Sequence, residues 1–508
     1  MACAVRQLAR SANPFPRKEI ARDAQGIPRY TNLPATLVEM LTHQVHRRGD
    51  AEAVAEIGGA RMTYAQLWDR AARVAGGLRS LGVGRGDRVA IRYPAGVDWV
   101  LAFWGTVFAG GIAVAVNTRS APPEVAFVLG DADVKVALAV ENPLPDGEPY
   151  VIEDSRADDV AVLFYTSGTT GRPKGVPTTH EALLTNAENM TRCLGLSREQ
   201  GPDLRTLICV PLFHVTACNS QLMVAAYIGG TAVIQPSLNL PVLIEALVAE
   251  RISFLVSVPA VYALLLRHPG FADADVTAVR RLGYGGAPIT PELVRALKAA
   301  FPHATVFNGY GMTETASLIT VLPDQDAVEH ADSVGYAVPS VDLGILSFDG
   351  DPDVGELVVR GANVTAGYWR RADATADTIL DGWLRTGDVV RVDEAGRVHL
   401  VDRIKDIINR GGENISSVAV ETVLLAAPGV NDAAVLAVPD EVMGEKVGAV
   451  LYSERPDLDI AGVIAHCRER LADFEVPQYV TVRAEPLPRN AGGKLLKGEL
   501  RRQVRWGK

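Results

Sequence analysis

Hydrophobic and polar positions alternate along this chain in two rhythms, one helical and one of short buried strands. Thr63-Tyr64-Ala65-Gln66 predicts a helix start, because Thr and Gln three residues apart form a capping box. Leu67, Val74, Leu78 and Leu81 follow on one face, and Gly82 predicts the stop. Residues 89–92 read as a short strand. The run 99–116 (WVLAFWGTVFAGGIAVAV) is apolar and long enough to span a bilayer. Gly110-Gly111 divides it into a helix-like half and a β-branched half, which predicts a buried helix followed by a buried strand. Residues 227–233 (YIGGTAV) echo residues 108–114 (FAGGIAV), which suggests two similar sheet halves. Helices and short β-branched runs alternate to about residue 320, the pattern of α/β layers with largely parallel sheets.

Beyond residue 335 the pattern changes. Residues 354–360, 389–392 and 398–401 read as antiparallel strands, with Glu394-Ala395-Gly396 as the tight turn of the last pair. A glycine loop, a helix near 417–425, further strands and a helix at 460–471 follow Asp402. The last hundred residues read as a small α+β domain, with the boundary at residues 402–405 and no long linker.

Composition narrows the function classes. At about 150 residues per domain, 508 residues make roughly three domain-equivalents. A 48% hydrophobic and 22% charged content is that of a globular protein. The formal net charge of −10 argues against a broad nucleic-acid surface, which needs a basic excess. Five cysteines without a CxxC pair make a disulfide framework or zinc knuckle improbable and fit a reducing, cytoplasmic setting. Arg6, Arg10, Arg17 and Lys18 precede the first acidic residue, Glu19, and no apolar run follows, so this is not a secretory signal. A transit segment is the other reading of that basic stretch.

The segment richest in chemistry is residues 165–175 (YTSGTTGRPKG), which follows the buried run 160–164. It holds four hydroxyl side chains besides the tyrosine, three glycines and two cations. Glycines admit a ligand close to the backbone. Hydroxyls, backbone N–H groups, Arg172 and Lys174 suit phosphate oxygens. The spacing is not that of a Walker A loop, since Gly171 is followed by Lys174 rather than directly by Lys-Ser/Thr. Gly82, Gly84 and Gly86 do not form a dinucleotide fingerprint either, because they follow a helix instead of opening one.

At this segment the chain resembles the adenylate-forming superfamily, which includes acyl-CoA synthetases, nonribosomal adenylation domains and beetle luciferases. Seven further motifs stand in the family's order across about residues 60–495: PLFH (211–214), GGAP (285–288), NGYGMTE (308–314), TGD (386–388), DRIK (402–405), GGENI (411–415) and PRNAGGK (488–494). The resemblance implies a large α/β N-terminal domain, residues 1–402, built from two β-sheets with flanking helices and a small barrel-like part. It implies a small mobile α+β lid over residues 403–508. ATP, Mg²⁺ and CoA are the implied cofactors and a small carboxylic acid the substrate.

Site roles follow residue by residue from the same resemblance. Thr166, Ser167, Gly168, Thr169, Thr170, Gly171 and Lys174 hold the polyphosphate, with Thr170 and Glu314 at the Mg²⁺. Gly285, Gly286, Ala287, Pro288, Asn308, Gly309, Tyr310, Gly311 and Met312 cradle the adenosine, Tyr310 stacking on the adenine. Thr313 meets the α-phosphate. Asp388, read as preceding a strand, takes the ribose hydroxyls, and Arg403 adds a ribose or phosphate contact. His214 lies beside the acyl carboxylate. Lys494 is the catalytic lysine of adenylation and Lys405 the hinge. Gly411, Gly412 and Glu413 belong to the thiol tunnel.

One departure stands out. Many CoA-forming members carry Tyr-Pro after the GGENI segment and a Glu-Val-Glu further on, whereas residues 416–421 here are SSVAVE. The change bears on thiol binding and leaves adenylation untouched. No Arg or Lys occurs in residues 214–219, 258–261 or 309–312, which favours a monocarboxylic fatty or aromatic acid. Alternatives are an acyl-AMP ligase that loads a carrier protein and a non-catalytic nucleotide sensor. The sequence encodes neither a transmembrane segment nor any feature that decides between a monomer and a homodimer.

Overall fold

The structure is a computed structural model that describes residues 5–10, 12–166, 172–287, 289–347, 353–404, 406–410, 413–440, 442–489 and 495–506. The predicted capping box forms at Thr63, whose side chain accepts from Gln66 N while Gln66 reaches back, and it opens the helix Tyr64–Ser80. Gly82 then takes a left-handed φ of 84°, the conformation a chain reversal demands and only glycine adopts freely. The apolar run resolves as expected into a helix, Val97–Phe108, and a strand, Ile112–Ala115. That helix is buried all round: Trp99, Phe103, Trp104 and Phe108 are each at most 1% exposed. Helix Tyr64–Ser80 packs close against it. A Cβ on Gly105 would stand 2.4 Å from Val74 Cγ1, so glycine is what permits the approach. Among the described residues no helix is long and apolar enough to cross a membrane.

The two echoed units fall in different sheets. Ile112–Ala115 lies in a five-stranded sheet between Arg88–Arg92 and Val160–Thr166, parallel to both. Thr231–Ile234 lies in a 15-stranded sheet, parallel to Arg205–Ile208 and Glu52–Glu56. Next along that larger sheet stand Phe254–Ser257, Arg281–Gly285 and Thr305–Tyr310, all parallel. Beyond Thr305–Tyr310 it turns antiparallel through Thr320–Leu322 and Ser333–Ala337 into Val398–Arg403, Trp383–Val392, Val354–Gly361 and Val341–Ser347. Parallel strands bury both faces under crossover helices, which accounts for their unbroken apolar runs.

The basic N-terminal stretch is built into this sheet. Arg6–Gln7 pairs with Gly344 and Ile345 as an edge strand. Arg10 donates to the carbonyls of Ala337, Val338 and Val341, and Arg17 and Arg22 both pair with the buried Asp342.

The chain leaves the large sheet after Val398–Arg403 and enters a separate five-stranded one at Ile408–Arg410. Glu413–Ile415, Asp432–Asp440, Gly444–Tyr452 and Tyr479–Arg483 complete it, with helices Ser417–Leu425 and Ile460–Arg468. The second helix stops three residues short of the predicted end, because Arg470 and Leu471 both donate to Cys467 O and close a turn.

Candidate active site

Four neighbouring parallel strands end on one edge of the large sheet: Arg205–Ile208, Phe254–Ser257, Arg281–Gly285 and Thr305–Tyr310. In parallel α/β sheets ligands bind outside the carboxyl ends of the strands. The loops that follow these strands carry His214, Val258, Gly286-Ala287 and Gly311–Glu314, so the fold gathers segments that lie far apart in the chain. Gly285 and Gly309 are register partners. A Cβ on Gly285 would stand 2.3 Å from Gly309 O, whereas one on Gly286 would meet only Val258 Cγ1 at 3.9 Å. The first glycine lets the strand ends close up, and the second leaves a bare backbone step open to a flat ring. The helix Pro291–Ala300 starts with Thr290 as its N-cap and Pro291 in its first turn. Pro288 lies outside the described residues.

Asp388 is the centre of a second cluster. It lies inside the strand Trp383–Val392 rather than before one, because pairing with Val354–Gly361 and Val398–Arg403 extends that strand back to Trp383. Gly387 has a φ of 73°. Its N–H donates to Glu356 Oε1 at 3.0 Å, and Asp388 N donates to Thr386 Oγ1 at 3.1 Å. Asp388 is buried, and its two oxygens have different partners: Tyr310 Oη donates to Oδ2 at 2.6 Å and Arg403 Nε stands 3.0 Å from Oδ1. Burial, reinforced by the Asp388 charge, raises the Tyr310 phenol well above its usual pKa, so it stays a donor. Each carboxylate oxygen keeps a lone pair for a further donor, which fits a pair of sugar hydroxyls.

Glu314 is buried at 6% exposure. Tyr368 Oη donates to its Oε1 at 2.8 Å. Burial, then the Glu314 charge, raises the Tyr368 pKa, so this hydroxyl too stays protonated. Thr313 opens the short 3₁₀ turn Thr313–Thr315, and Met312 N donates to Thr315 Oγ1 at 3.2 Å. Asn308 is buried, with Nδ2 3.4 Å from Ser333 O.

The next two residues are held in strained backbone, Ala316 at φ 51° and Ser317 at φ 125°. Buried polar side chains fix them there. Asn219 Nδ2 donates to Ala316 O at 2.9 Å, and the Ser220 hydroxyl donates to Ser317 Oγ at 2.7 Å. Asn363 Nδ2 donates to Thr315 O at 2.8 Å and Leu318 O at 2.9 Å, and Leu318 N donates to Asn186 Oδ1 at 3.1 Å.

The two ends of segment 165–175 are paired. Strands Val160–Thr166 and Lys174–Thr179 pair antiparallel with Thr166 opposite Lys174. Ser167, Gly168, Thr169, Thr170 and Gly171 lie outside the described residues. Lys174 Nζ sits 4.7 Å from the Tyr368 ring centroid, and Arg172 sits over Phe127 at 5.4 Å. His214 caps the turn Val215–Ala217, with its ring 4.6 Å from that of Phe213. Its Nε2 is buried and has no partner among the described residues. Burial lowers its pKa to about 4, so the imidazole is neutral at neutral pH. An orphaned buried nitrogen beside the strand ends is a place for a substrate oxygen or hydroxyl.

Not every predicted residue joins these clusters. Lys405, Gly411, Gly412 and Lys494 lie outside the described residues. Glu413 is exposed on the hairpin Ile408–Arg410/Glu413–Ile415, and among the described residues no hydrogen bond or ion pair joins it to Asp388 or Glu314. In the departing segment, Ser416 caps Ser417–Leu425, and Glu421 pairs with Lys497 at 2.7 Å. Sequence reasoning passed over Tyr368, Asn363 and Asn186, and took Asn219 only as part of the cation-free stretch 214–219. Each meets Glu314 or its loop only through pairing distant in the chain, and no spacing signals it.

Comparison with known proteins bears on this geometry. Residues 41–152 and 140–369 match the AMP-binding enzyme family, and residues 419–494 match the AMP-binding enzyme C-terminal domain. The chain belongs to the AMP-binding enzyme family. Relatives within it include the long-chain-fatty-acid–CoA ligase FadD13 of Mycobacterium tuberculosis, 34% identical over 87% of this chain and 93% of that protein. Feruloyl-CoA synthase of an Amycolatopsis species is 36% identical over 88% of this chain and 94% of its own length. Among solved structures, o-succinylbenzoate CoA synthetase (MenE) from Bacillus subtilis, in complex with the acyl-adenylate intermediate OSB-AMP, aligns with a TM-score of 0.84 at 29% identity, covering 94% of this chain and 100% of that one. The same synthetase is also known in complex with ATP and magnesium ion. In this AMP-binding enzyme His214, Gly286 and Glu314 follow parallel strands of the large sheet, Asp388 lies within one of its antiparallel strands, and Thr166 and Lys174 stand on the five-stranded sheet.

Proposed function

We infer that this AMP-binding enzyme is an AMP-forming acid–thiol ligase. It activates a carboxylic acid with ATP, releases pyrophosphate, and transfers the acyl group from the adenylate to CoA. The observation that carries the site assignment is the buried carboxylate of Asp388, held by Tyr310 and Arg403, with the buried Glu314 only four residues beyond that tyrosine.

The residues divide the work by charge. Asp388 receives the ribose hydroxyls, while the backbone step at Gly285–Ala287 and the Tyr310 ring flank the adenine. A carboxylate and a phosphate repel each other, so catalysis must align them and cancel charge at the phosphorus. Lys174 and the hydroxyls of residues 166–170 meet the polyphosphate, Thr313 the α-phosphate. Glu314, with Thr170, would hold Mg²⁺, a hard cation that takes one or two protein carboxylates beside phosphate oxygens and there neutralises developing charge. Neutral His214 offers Nε2 to the acyl carboxylate. The fatty and feruloyl groups in the names of relatives, and the lack of Arg or Lys in residues 214–219, 258–261 and 309–312, support a monocarboxylic acid.

The division at residues 402/403, with residues 403–508 as a swinging lid, is supported by the change of sheet between Val398–Arg403 and Ile408–Arg410. In this reading Lys405 is the hinge, Lys494 arrives for adenylation, and Gly411–Glu413 line the thiol path. The test is pyrophosphate release with CoA across fatty and ring acids, beside the variant Lys494→Ala. That variant is expected to lose adenylation by about 100-fold or more while converting supplied acyl-AMP to thioester at nearly the normal rate. Equal loss of both half-reactions would refute the division of labour. Release of pyrophosphate with no acid in the panel would refute the enzymatic reading.

A further inference from the structure

One side chain touches both charged groups that the proposed function assigns to the triphosphate end of the nucleotide. The hydroxyl of Tyr368 donates to Glu314 Oε1 at 2.8 Å, and the face of its ring lies 4.7 Å from Lys174 Nζ. Among the described residues neither Glu314 nor Lys174 forms an ion pair, with the other or with any third group. A buried carboxylate and a nearby ammonium would ordinarily seek each other, because pairing relieves the cost of burying either charge. Here one tyrosine satisfies each differently, the anion with its hydroxyl and the cation with its π face.

The ring is not free to move aside. Thr365 N donates to Glu314 O at 2.8 Å, Trp369 N donates to Gly175 O at 2.8 Å, and Tyr368 N donates to Thr375 Oγ1 at 2.9 Å. The Thr365 hydroxyl donates to Pro177 O at 3.1 Å. The segment that carries Tyr368 is therefore stitched to the loop of Glu314 on one side and to the strand of Lys174 on the other. On the same strand pair, Tyr165 Oη donates to Asp131 Oδ2 at 2.9 Å, and Asp131 also pairs with Arg371.

We propose that Tyr368 is a positioning residue that keeps Glu314 and Lys174 apart and aimed. Its hydroxyl orients the carboxylate for a divalent cation, its ring holds the ammonium at the start of the strand Lys174–Thr179, and its bulk stops the two charges from neutralising each other. This rests on the reading of Glu314 as a cation ligand.

The test uses the full chain and two readouts. One is calorimetric binding of ATP without acid, with and without Mg²⁺. The other is the Mg²⁺ dependence of pyrophosphate release. Tyr368→Phe keeps the ring and loses the hydroxyl. It is expected to raise the Mg²⁺ concentration for half-maximal rate about tenfold, the scale of one hydrogen bond to a charged group, and to leave Mg²⁺-free ATP binding unchanged. Tyr368→Leu removes the ring as well and is expected to weaken ATP binding with and without Mg²⁺. In a Glu314→Gln background, Tyr368→Phe should add nothing. A shift below about twofold in Tyr368→Phe, or a full additional effect on top of Glu314→Gln, overturns the proposal. If Glu314→Gln itself leaves the Mg²⁺ requirement unchanged, the cation assignment fails and takes the proposal with it. Failure of Tyr368 alone looks different, since Glu314→Gln then raises the Mg²⁺ requirement and Tyr368→Phe does not. Should Tyr368→Leu not fold, Tyr368→Phe decides alone.

Discussion

Gly311→Ala is the sharpest single test of how the Glu314 loop is held. A Cβ at residue 311 would stand 1.5 Å from Ser317 O, 2.6 Å from Ser317 C and 3.0 Å from Leu318 Cα. Ordinary contact needs about 3.4 Å, so one side must retreat by nearly 2 Å. Ser317 and Leu318 are poorly placed to do so. Asn219, Ser220, Asn363 and Asn186 all bond the stretch 315–318, and each is buried at 4% exposure or less. Displacing that stretch would orphan several buried polar groups at about 1–3 kcal/mol each. The cheaper relief is to move Gly311–Glu314, which carries the proposed α-phosphate and cation contacts. A 1 Å misplacement at a reacting centre costs on the order of 100-fold, so adenylation should fall by at least that much. Overpacking should also destabilise the fold by about 1–3 kcal/mol. Pyrophosphate release and MgATP calorimetry read the first effect, and a denaturation midpoint reads the second. Gly130→Ala is the control. It lies in the helix Pro122–Ala132, and a Cβ there would meet nothing within 4 Å, so stability should hold or rise by about 0.5 kcal/mol. A Gly311→Ala protein that keeps half its activity and its wild-type midpoint would refute the argument.

Other consequences are equally direct. Asp388→Asn exchanges the anion between Tyr310 Oη and Arg403 for a neutral amide and is expected to weaken AMP binding by about 10- to 100-fold while leaving pyrophosphate binding intact. Calorimetry with each ligand separates the two, and equal weakening of both would count against a ribose role. His180 and His214 are both held by burial at a pKa of about 4, below the usual 6.5. The unfolded chain binds their protons first, so stability is full above about pH 6.5 and falls as pH drops toward 4, by up to about 3 kcal/mol per histidine. His180→Asn, which keeps an acceptor for Leu37 N, should flatten that acid limb in a series of urea midpoints against pH. An unchanged limb would show that the burial of His180 is not what sets it.

Much of this protein was legible from residue order alone. The capping box at Thr63, the helix–glycine–strand unit around Gly110 and the turn at Gly396 are local events. Neighbouring residues determine them through φ preference, end satisfaction and hydrophobic period, which act within a few positions. The eight motifs likewise announced a nucleotide chemistry, because the types of side chain that meet phosphate and sugar are few and cluster in short runs.

Tertiary structure decided the rest, for reasons of geometry. Asp388 belongs to a strand rather than a turn because two partner strands supply hydrogen bonds that Thr-Gly-Asp by itself would not seek. Glu314 became a buried carboxylate, and Tyr368 its partner, only when the packing of two different sheets brought residues 174, 314 and 368 together. The strain at Ala316 and Ser317 persists because four buried side chains, drawn from three other segments, over-determine it. No local preference could have revealed it, since local preference is what those contacts override.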